Sequence, residues 1–317
     1  MRITRRPLLF AGATALAARR AKAQAFPTRA IRVIVPYAAG GTDQYIRLLQ
    51  QDFGQLLGQP VVIDSIAGGG GGIGANRVRT SAADGYTLLF ASTAALTVVP
   101  RLQNQPYTAA DFAPICNLVA IPIMIAARRG SRFRTIEQML AQARTQPESV
   151  SIGSPGIGST PHLAAEALAR AADVKLLQVP YQGIAPAMAA LLAGDIDLVS
   201  GAPGIIMPTV ESHGIIPLAQ TGASRIVALP DLVTLKEAGL DVDLVTRFAF
   251  FAPKETPVPI LDRLGEAFLQ AAAAPAYADA MRRAFNEVML LDRQQLTTAL
   301  VEEDAANARL IQALDIR

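Results

Sequence analysis

The chain has few of the residues that most often build metal and redox sites. Among its 317 residues there is no tryptophan, one cysteine (Cys116) and two histidines, His162 and His213. A single cysteine cannot form an internal disulfide, and its place in the apolar run 115–127 predicts a buried, inert thiol. So few soft ligands make a zinc site of ordinary composition improbable. We therefore expect no bound metal.

The N-terminus has the order of a secretory signal peptide. Arg2, Arg5 and Arg6 precede the apolar run 7–18, and small residues at 21–25 fit a cleavage site. This predicts a signal peptide over residues 1–25, cut near residues 23–25, and a periplasmic protein. The adjacent arginines leave two routes open, the general secretory route and the twin-arginine route.

The basic charge of the chain resides largely in this leader. Six of the 29 Lys and Arg residues and none of the 26 acids lie in residues 1–23, so 23 basic and 26 acidic side chains remain, a net charge of −3. The remainder therefore offers no electrostatic reason to expect nucleic acid or an anionic membrane as a partner.

Short β-rich runs alternate with helical periodicity in two separate stretches. This rhythm predicts an α/β protein with crossover helices in two halves. We predict one domain from 26–126 plus 247–317 and a second from 127–246, with the chain crossing between them near 116–127 and 245–252. The predicted strands are 31–36, 61–64, 86–91, 150–153, 176–180, 196–199, 216–220 and 248–252, with another near 288–290.

A glycine-rich segment fits the dinucleotide fingerprint by spacing. Gly69, Gly71 and Gly74 match it, but the run 68–72 is all glycine, so such a match arises easily. About 20 residues further on, where an acid would bind the ribose, the chain has Thr93-Ala94-Ala95. We interpret the segment as a tight turn into a helix and expect no cofactor.

Two loops share a design suited to anions. Residues 38–43 and 153–162 each lie between a predicted strand and a predicted helix, and both are rich in glycine and hydroxyl groups. Free amides at a helix N-terminus attract negative charge, and ligands of open α/β sheets bind at the carboxyl ends of the strands. Each loop alone could equally be a capped helix start, with Asp43 and Ser159 or Thr160 as caps.

An ordered set of short motifs resembles the Bug family, the periplasmic receptors of tripartite tricarboxylate transporters. The resemblance extends from about Phe26 to the last helix. It rests on the segments 35–43, 57–62, 71–74, 84–89, 111–114, 158–164, 179–183, 228–231, 237–240 and 251–253.

The resemblance implies a two-domain periplasmic-binding-protein fold of the Venus-flytrap, type II kind, with two crossover strands and a ligand carboxylate held by the two loops. Carried onto this sequence, the expected ligand-binding residues are Tyr37, Ala38, Ala39, Gly40, Gly41, Thr42, Asp43, Ser154, Gly156, Gly158, Ser159, Thr160, Tyr181 and Ala202.

Arg247 departs from the family pattern, which has an aromatic residue at this point. One interpretation makes it a surface arginine paired with Asp241 or Asp243. The other places its guanidinium in the cleft against a second ligand carboxylate, which arginine binds in a bidentate manner. The two alternatives stay open at the level of sequence.

These observations predict an exported, monomeric receptor that captures a small carboxylated metabolite for uptake and is not an enzyme. The expected partner is a membrane transporter of the tripartite tricarboxylate type. No G-x-S-x-G motif is present, and we interpret His162 as a structural histidine at a helix start. The alternatives are a ligand-sensing protein of the same fold that signals to a membrane partner and an exported enzyme.

Overall fold

The computed structural model describes residues 26–181 and 183–313, except for the side chain of Glu211. The predicted signal peptide lies outside these residues. The first part of the chain alternates strands and helices around one sheet, with two short 3-10 helices at Gly69–Gly71 and Ala109–Asp111. Its elements are β1 (Ile31–Val35), α1 (Gln44–Arg47), α2 (Gln50–Leu57), β2 (Val61–Ser65), α3 (Gly72–Arg79), β3 (Thr87–Ser92), α4 (Ala94–Thr97), α5 (Val99–Leu102) and β4 (Phe112–Pro122).

The middle of the chain forms a second α/β unit, after which the chain returns to the first. The middle elements are β5 (Met124–Ala127), α6 (Ile136–Thr145), β6 (Ser151–Ser154), α7 (Thr160–Ala171), β7 (Leu177–Pro180), α8 (Ile184–Ala193), β8 (Leu198–Gly201), α9 (Pro203–His213) and β9 (Ile216–Gln220). The returning elements are β10 (Val245–Pro253), α10 (Val258–Ala272), α11 (Pro275–Arg283), β11 (Glu287–Leu291) and α12 (Arg293–Ala313).

Each unit is built on its own mixed sheet. The six-stranded sheet has the order β11-β4-β10-β3-β1-β2, and the five-stranded sheet has the order β7-β6-β8-β5-β9. β1 pairs in parallel with β2 and β3, and β6 pairs in parallel with β7 and β8. β5 and β10 each enter from the other unit, and they run antiparallel to their neighbours: β10 to β3 and β4, and β5 to β8 and β9. The predicted α/β class and two-unit architecture are confirmed.

The chain passes between the two sheets at Ile123 and Leu244. β4 ends at Pro122, which faces the first residue of β10, and β5 begins one residue after Ile123. Thr221 forms hydrogen bonds to both crossing segments. Its N–H donates to Ile123 O and its Oγ1 accepts from the Ile123 N–H, both at 2.8 Å. Its hydroxyl also donates to Leu244 O. The predicted boundaries at 126/127 and 246/247 lie a few residues further along the chain.

Several helices differ from the sequence prediction. Apolar residues at helical spacing predict one helix over 43–57, but the structure divides this stretch into α1 and α2, with Leu48 and Leu49 between them. α4 and α9 were not predicted. α4 is buried on all sides, so it has no amphipathic pattern, and Pro208 lies inside α9, where proline normally argues against a helix.

Apolar side chains from both faces of each sheet form separate cores, and α12 packs back onto the first unit through Leu296 and Leu300. Cys116 is fully buried in the first core, as predicted, and burial raises the pKa of its thiol.

Val98, Leu163 and Ile311 form a smaller cluster where the units meet. Over residues 26–181 and 183–313, none of the helices is both long enough and apolar enough to cross a membrane.

Candidate ligand-binding cleft

A cleft of about 640 Å³ lies between the two units. Pockets of this size hold small molecules of metabolite dimensions. Loops at the carboxyl ends of β1, β3, β6 and β7 contribute most of its walls. The lining residues from the six-stranded unit are Tyr37, Thr42, Gly70, Ser92, Ala94, Ala95, Val99, Gln103, Thr246 and Phe248; those from the five-stranded unit are Pro155, Gly156, Ile157, Gly158, Ser159, Thr160, Pro161, Pro180 and Tyr181.

The first loop, residues 37–43, is shaped by the buried carboxylate of Asp43. This carboxylate accepts from the Gly40 N–H at 2.8 Å and from Arg47 Nε at 2.6 Å. Burial alone would raise the pKa of Asp43, but these hydrogen bonds outweigh it and hold the pKa below its usual range. Asp43 therefore folds the loop back on itself instead of facing the cleft, and it caps no amide of α1.

Two side chains of the first loop reach the cleft. Tyr37 and Thr42 line it, whereas Ala38, Ala39 and the two glycines of the loop are exposed beside it. The Tyr37 hydroxyl shares a hydrogen bond of 2.7 Å with Ser92 Oγ and accepts from the Ser92 N–H at 3.3 Å. Burial raises the pKa of Tyr37, so this hydroxyl stays neutral.

The second loop, residues 154–160, turns directly into α7. Ser159 is its N-cap: Ser159 Oγ accepts from the His162 N–H at 3.2 Å and donates to Gly156 O at 2.8 Å. Gly156 and Gly158 adopt φ values of 134° and 78°, which side chains rarely tolerate. The predicted capping role of Ser159 is confirmed. Ser154 lies beneath the loop, fully buried, and does not line the cleft.

The N-terminus of α7 opens into the cleft. Thr160 is the first residue of this twelve-residue helix, and Pro161 follows it. Among the described residues no acceptor contacts the Thr160 N–H. Because the first amides of a helix lack intrahelical partners and its dipole is positive there, this end favours an anion.

His162 supports the second loop. Its Nδ1 accepts from the Gly158 N–H at 3.4 Å, and burial lowers its pKa, so the ring stays neutral. Its Nε2 lies 3.8 Å from Glu166 Oε1, whose pKa burial raises. Both shifts oppose an ion pair. This geometry matches the structural role predicted for His162.

Arg247 points away from the cleft. Its neighbours Thr246 and Phe248 line the cleft, and side chains of a strand alternate between faces, so Arg247 lies on the other side of β10. Its Nη1 donates to Glu303 Oε2 of α12 at 3.0 Å. The pairing with Asp241 or Asp243, which one of the two interpretations included, is not formed; Asp243 contacts Lys236 instead, at 2.7 Å. The interpretation that Arg247 reaches into the cleft is not supported by this geometry.

Of the two remaining predicted residues, one lines the cleft and the other lies at the contact between the two units. Tyr181 lines the cleft, whereas Ala202 packs against the core of the six-stranded unit. The sequence prediction missed Ser92, Val99, Gln103 and Phe248, all of which line the cleft. Ser92 directly follows the predicted strand 86–91, and the rule that ligands bind at the carboxyl ends of strands could have found it. No local pattern marks the others.

Two α/β units joined by two crossing segments, with a cleft between them, define the class of periplasmic solute-binding proteins. Comparison with known proteins gives the family. Residues 45–316 match the family described as "Tripartite tricarboxylate transporter family receptor". The chain belongs to this family, which confirms the predicted Bug-type relationship.

Individual relatives are similar to this chain over nearly its whole length. A UPF0065 protein from the tcbD-tcbE intergenic region of Pseudomonas sp. (strain P51) is 36% identical over 290 residues, which cover 89% of this chain and 86% of the relative. The structure of the periplasmic binding protein BugD is 29% identical, with a TM-score of 0.78 over 92% of this chain and 99% of that one. An R. palustris protein solved with adipate is 28% identical, with a TM-score of 0.78 over 90% of this chain and 97% of that one.

Proposed function

We propose that the protein is an exported receptor that binds a small carboxylate in the cleft and passes it to a tripartite tricarboxylate transporter. The proposal rests on the position of the N-terminus of α7, which opens into a cleft shared by both units. The family and the adipate carried by one structural neighbour support a carboxylate as the ligand. The receptor acts as a monomer in this proposal.

The carboxylate would lie between the two loops. Thr42 offers a hydroxyl from the first loop, and Thr160 offers a hydroxyl and an amide from the second. Ser159 supports the site indirectly because its hydroxyl already bonds to the loop and to α7. Closure about Ile123 and Leu244 would then enclose the bound molecule.

A panel of carboxylates tests binding directly. Acetate, malate, adipate, hexanoate, benzoate and terephthalate are added to the purified protein while thermal unfolding is followed. A ligand at 100 times its dissociation constant should add about 2.7 kcal/mol of stability. If none of the six raises the unfolding temperature, the proposed function is wrong.

Removal of the two threonine hydroxyls should weaken carboxylate binding. Thr42→Ala and Thr160→Ala should each cost about 0.5–1.5 kcal/mol of binding free energy, or up to about 3 kcal/mol if the hydroxyl bonds to the charge. Isothermal titration calorimetry measures the change. Thr298→Ala, on the exposed side of α12, is the matched control and should leave affinity unaltered. Unchanged affinity in both cleft variants would exclude the loops from the site.

Export is tested by the mass of the product. The basic, apolar and small-residue segments of 1–25 lead us to expect a polypeptide that begins near Gln24 or Phe26. Intact-mass spectrometry of the periplasmic fraction gives this start directly. A full-length protein that stays in the cytoplasm would contradict the proposed location.

A further inference from the structure

Leu163 of α7 is buried by the other unit. Its side chain is 1% exposed, and it packs in an apolar cluster with Val98 and Ile311. Val98 directly follows α4 and Ile311 lies in α12, so both belong to the six-stranded unit. Leu168, on the same helix as Leu163, packs instead in the core of the five-stranded unit, to which Leu163 does not belong. The burial of Leu163 therefore depends on contact between the units.

A second contact extends this apolar surface along the rim of the cleft. Leu102, the last residue of α5, is partly buried against the same cluster. A Cβ added at Gly158, in the second loop, would lie 2.4 Å from Leu102 Cδ1 and 3.3 Å from Val98 Cγ1. The backbone of the second loop therefore fits closely against the other unit. We call Val98, Leu102, Leu163 and Ile311 the latch.

The latch lies directly beside the anion-binding end of α7. Leu163 is three residues after Thr160, and residues at this spacing lie on the same side of a helix. Thr160 lines the cleft, whereas Leu163 does not. The apolar cluster of the latch is also separate from the cores of the two units, so it can come apart while each unit stays folded.

We infer that the latch stabilises the closed arrangement of the two units even before a ligand binds, and that Leu163 is a positioning residue for ligand binding. The link to ligand binding rests on the proposed function. Opening about Ile123 and Leu244 would move α7 away from α4, α5 and α12 and expose the apolar latch to water, which is unfavourable. A larger closed fraction tightens binding, because the apparent affinity scales with the population of the binding-competent state.

Small-angle X-ray scattering of the ligand-free protein tests the latch without any ligand. Leu163→Ala should shift the protein towards the open arrangement and raise its radius of gyration. Leu163→Met keeps most of the apolar surface and should behave like the parent protein. Leu168→Ala is the matched control: it removes the same atoms from the same helix, but from the core of one unit, so it should lower stability and leave the radius of gyration unaltered. An unchanged radius in folded Leu163→Ala, or an equal change in both alanine variants, would overturn the inference.

Affinity for adipate, with which one structural neighbour was solved, gives an independent readout. Leu163→Ala and Ile311→Ala should each weaken adipate binding about tenfold or more, through faster dissociation, while Leu168→Ala keeps the parent affinity. Circular dichroism checks that each variant folds. If Leu163→Ala does not fold, Ile311→Ala, which truncates the latch from the other unit, replaces it in both experiments.

The outcomes separate the latch from the proposed function. Parent affinity in the folded latch variants would overturn the inference and leave the proposed function standing. If adipate does not bind even the parent protein, the failure counts against the proposed function alone, and the scattering of the ligand-free variants decides whether the latch holds the units closed.

Discussion

Replacement of Arg247 by alanine should lower the free energy of unfolding by about 3 kcal/mol, near the lower end of the range for broken buried ion pairs. The Arg247 side chain is 25% exposed and the Glu303 side chain 11%, so the variant leaves a nearly buried carboxylate without its cation. The neutral hydroxyls of Thr93 and Thr97 lower the pKa of Glu303, but they cannot replace the charge of Arg247. Denaturant unfolding measures the change.

The control for this experiment is an exposed pair. Arg282 and Asp279 are 55% and 54% exposed, so Arg282→Ala should cost well under about 1 kcal/mol. The double variant Arg247→Ala with Glu303→Gln should recover part of the loss because the unpaired charge is gone. A single variant as stable as the parent protein would show that the pair contributes nothing.

The stability of the Arg247→Ala variant should also depend on pH. Burial raises the pKa of Glu303, so the folded protein takes up this proton before the unfolded chain does. Between the unfolded and folded pKa values, protonation of Glu303 therefore adds stability as the pH falls. Without Arg247 the folded pKa rises further and the window widens. The deficit of the variant should be largest at neutral pH and shrink on acidification.

Gly204→Ala should weaken ligand affinity about 10–100-fold, because it would oppose closure of the two units. A Cβ at Gly204, in the first turn of α9, would lie 2.5 Å from the backbone oxygen of Ala284, which belongs to the other unit. Gly204 does not adopt positive φ, so alanine brings no local strain, and alanine is the better helix former. The penalty therefore falls on the contact between the units and not on the fold of either one.

Calorimetry with the tightest carboxylate measures this loss, and small-angle X-ray scattering of the ligand-saturated variant should show a less compact protein. Gly54→Ala in α2 is the matched control: its Cβ would meet Gln59 O at 3.6 Å, an ordinary contact. Wild-type affinity and wild-type compactness in Gly204→Ala would show that the Gly204–Ala284 contact does not limit closure.

The sequence by itself determined the features that depend on short-range patterns. Alternating strand and helix periodicity predicted two α/β units, and the polar, glycine-rich ends of two predicted strands marked the loops 38–43 and 153–162. The strand over 288–290 was also predicted and is confirmed as part of β11. Such features follow from residues close to one another in the chain, so they can be recognised before the chain is folded.

Only the tertiary structure decided which side chains face the cleft. Arg247 is directly adjacent to its neighbours in β10, but successive side chains of a strand lie on opposite faces of the sheet. The pairing of β10 with β4 contains register shifts that no local sequence pattern predicts. Asp43 likewise resembled a helix cap, and its partners Gly40 and Arg47 became evident only from the folded loop. Two distant segments of the chain are brought together at the cleft, and this places Val99, Gln103 and Phe248 in its lining. The local sequence around each residue does not indicate which distant segment will lie beside it.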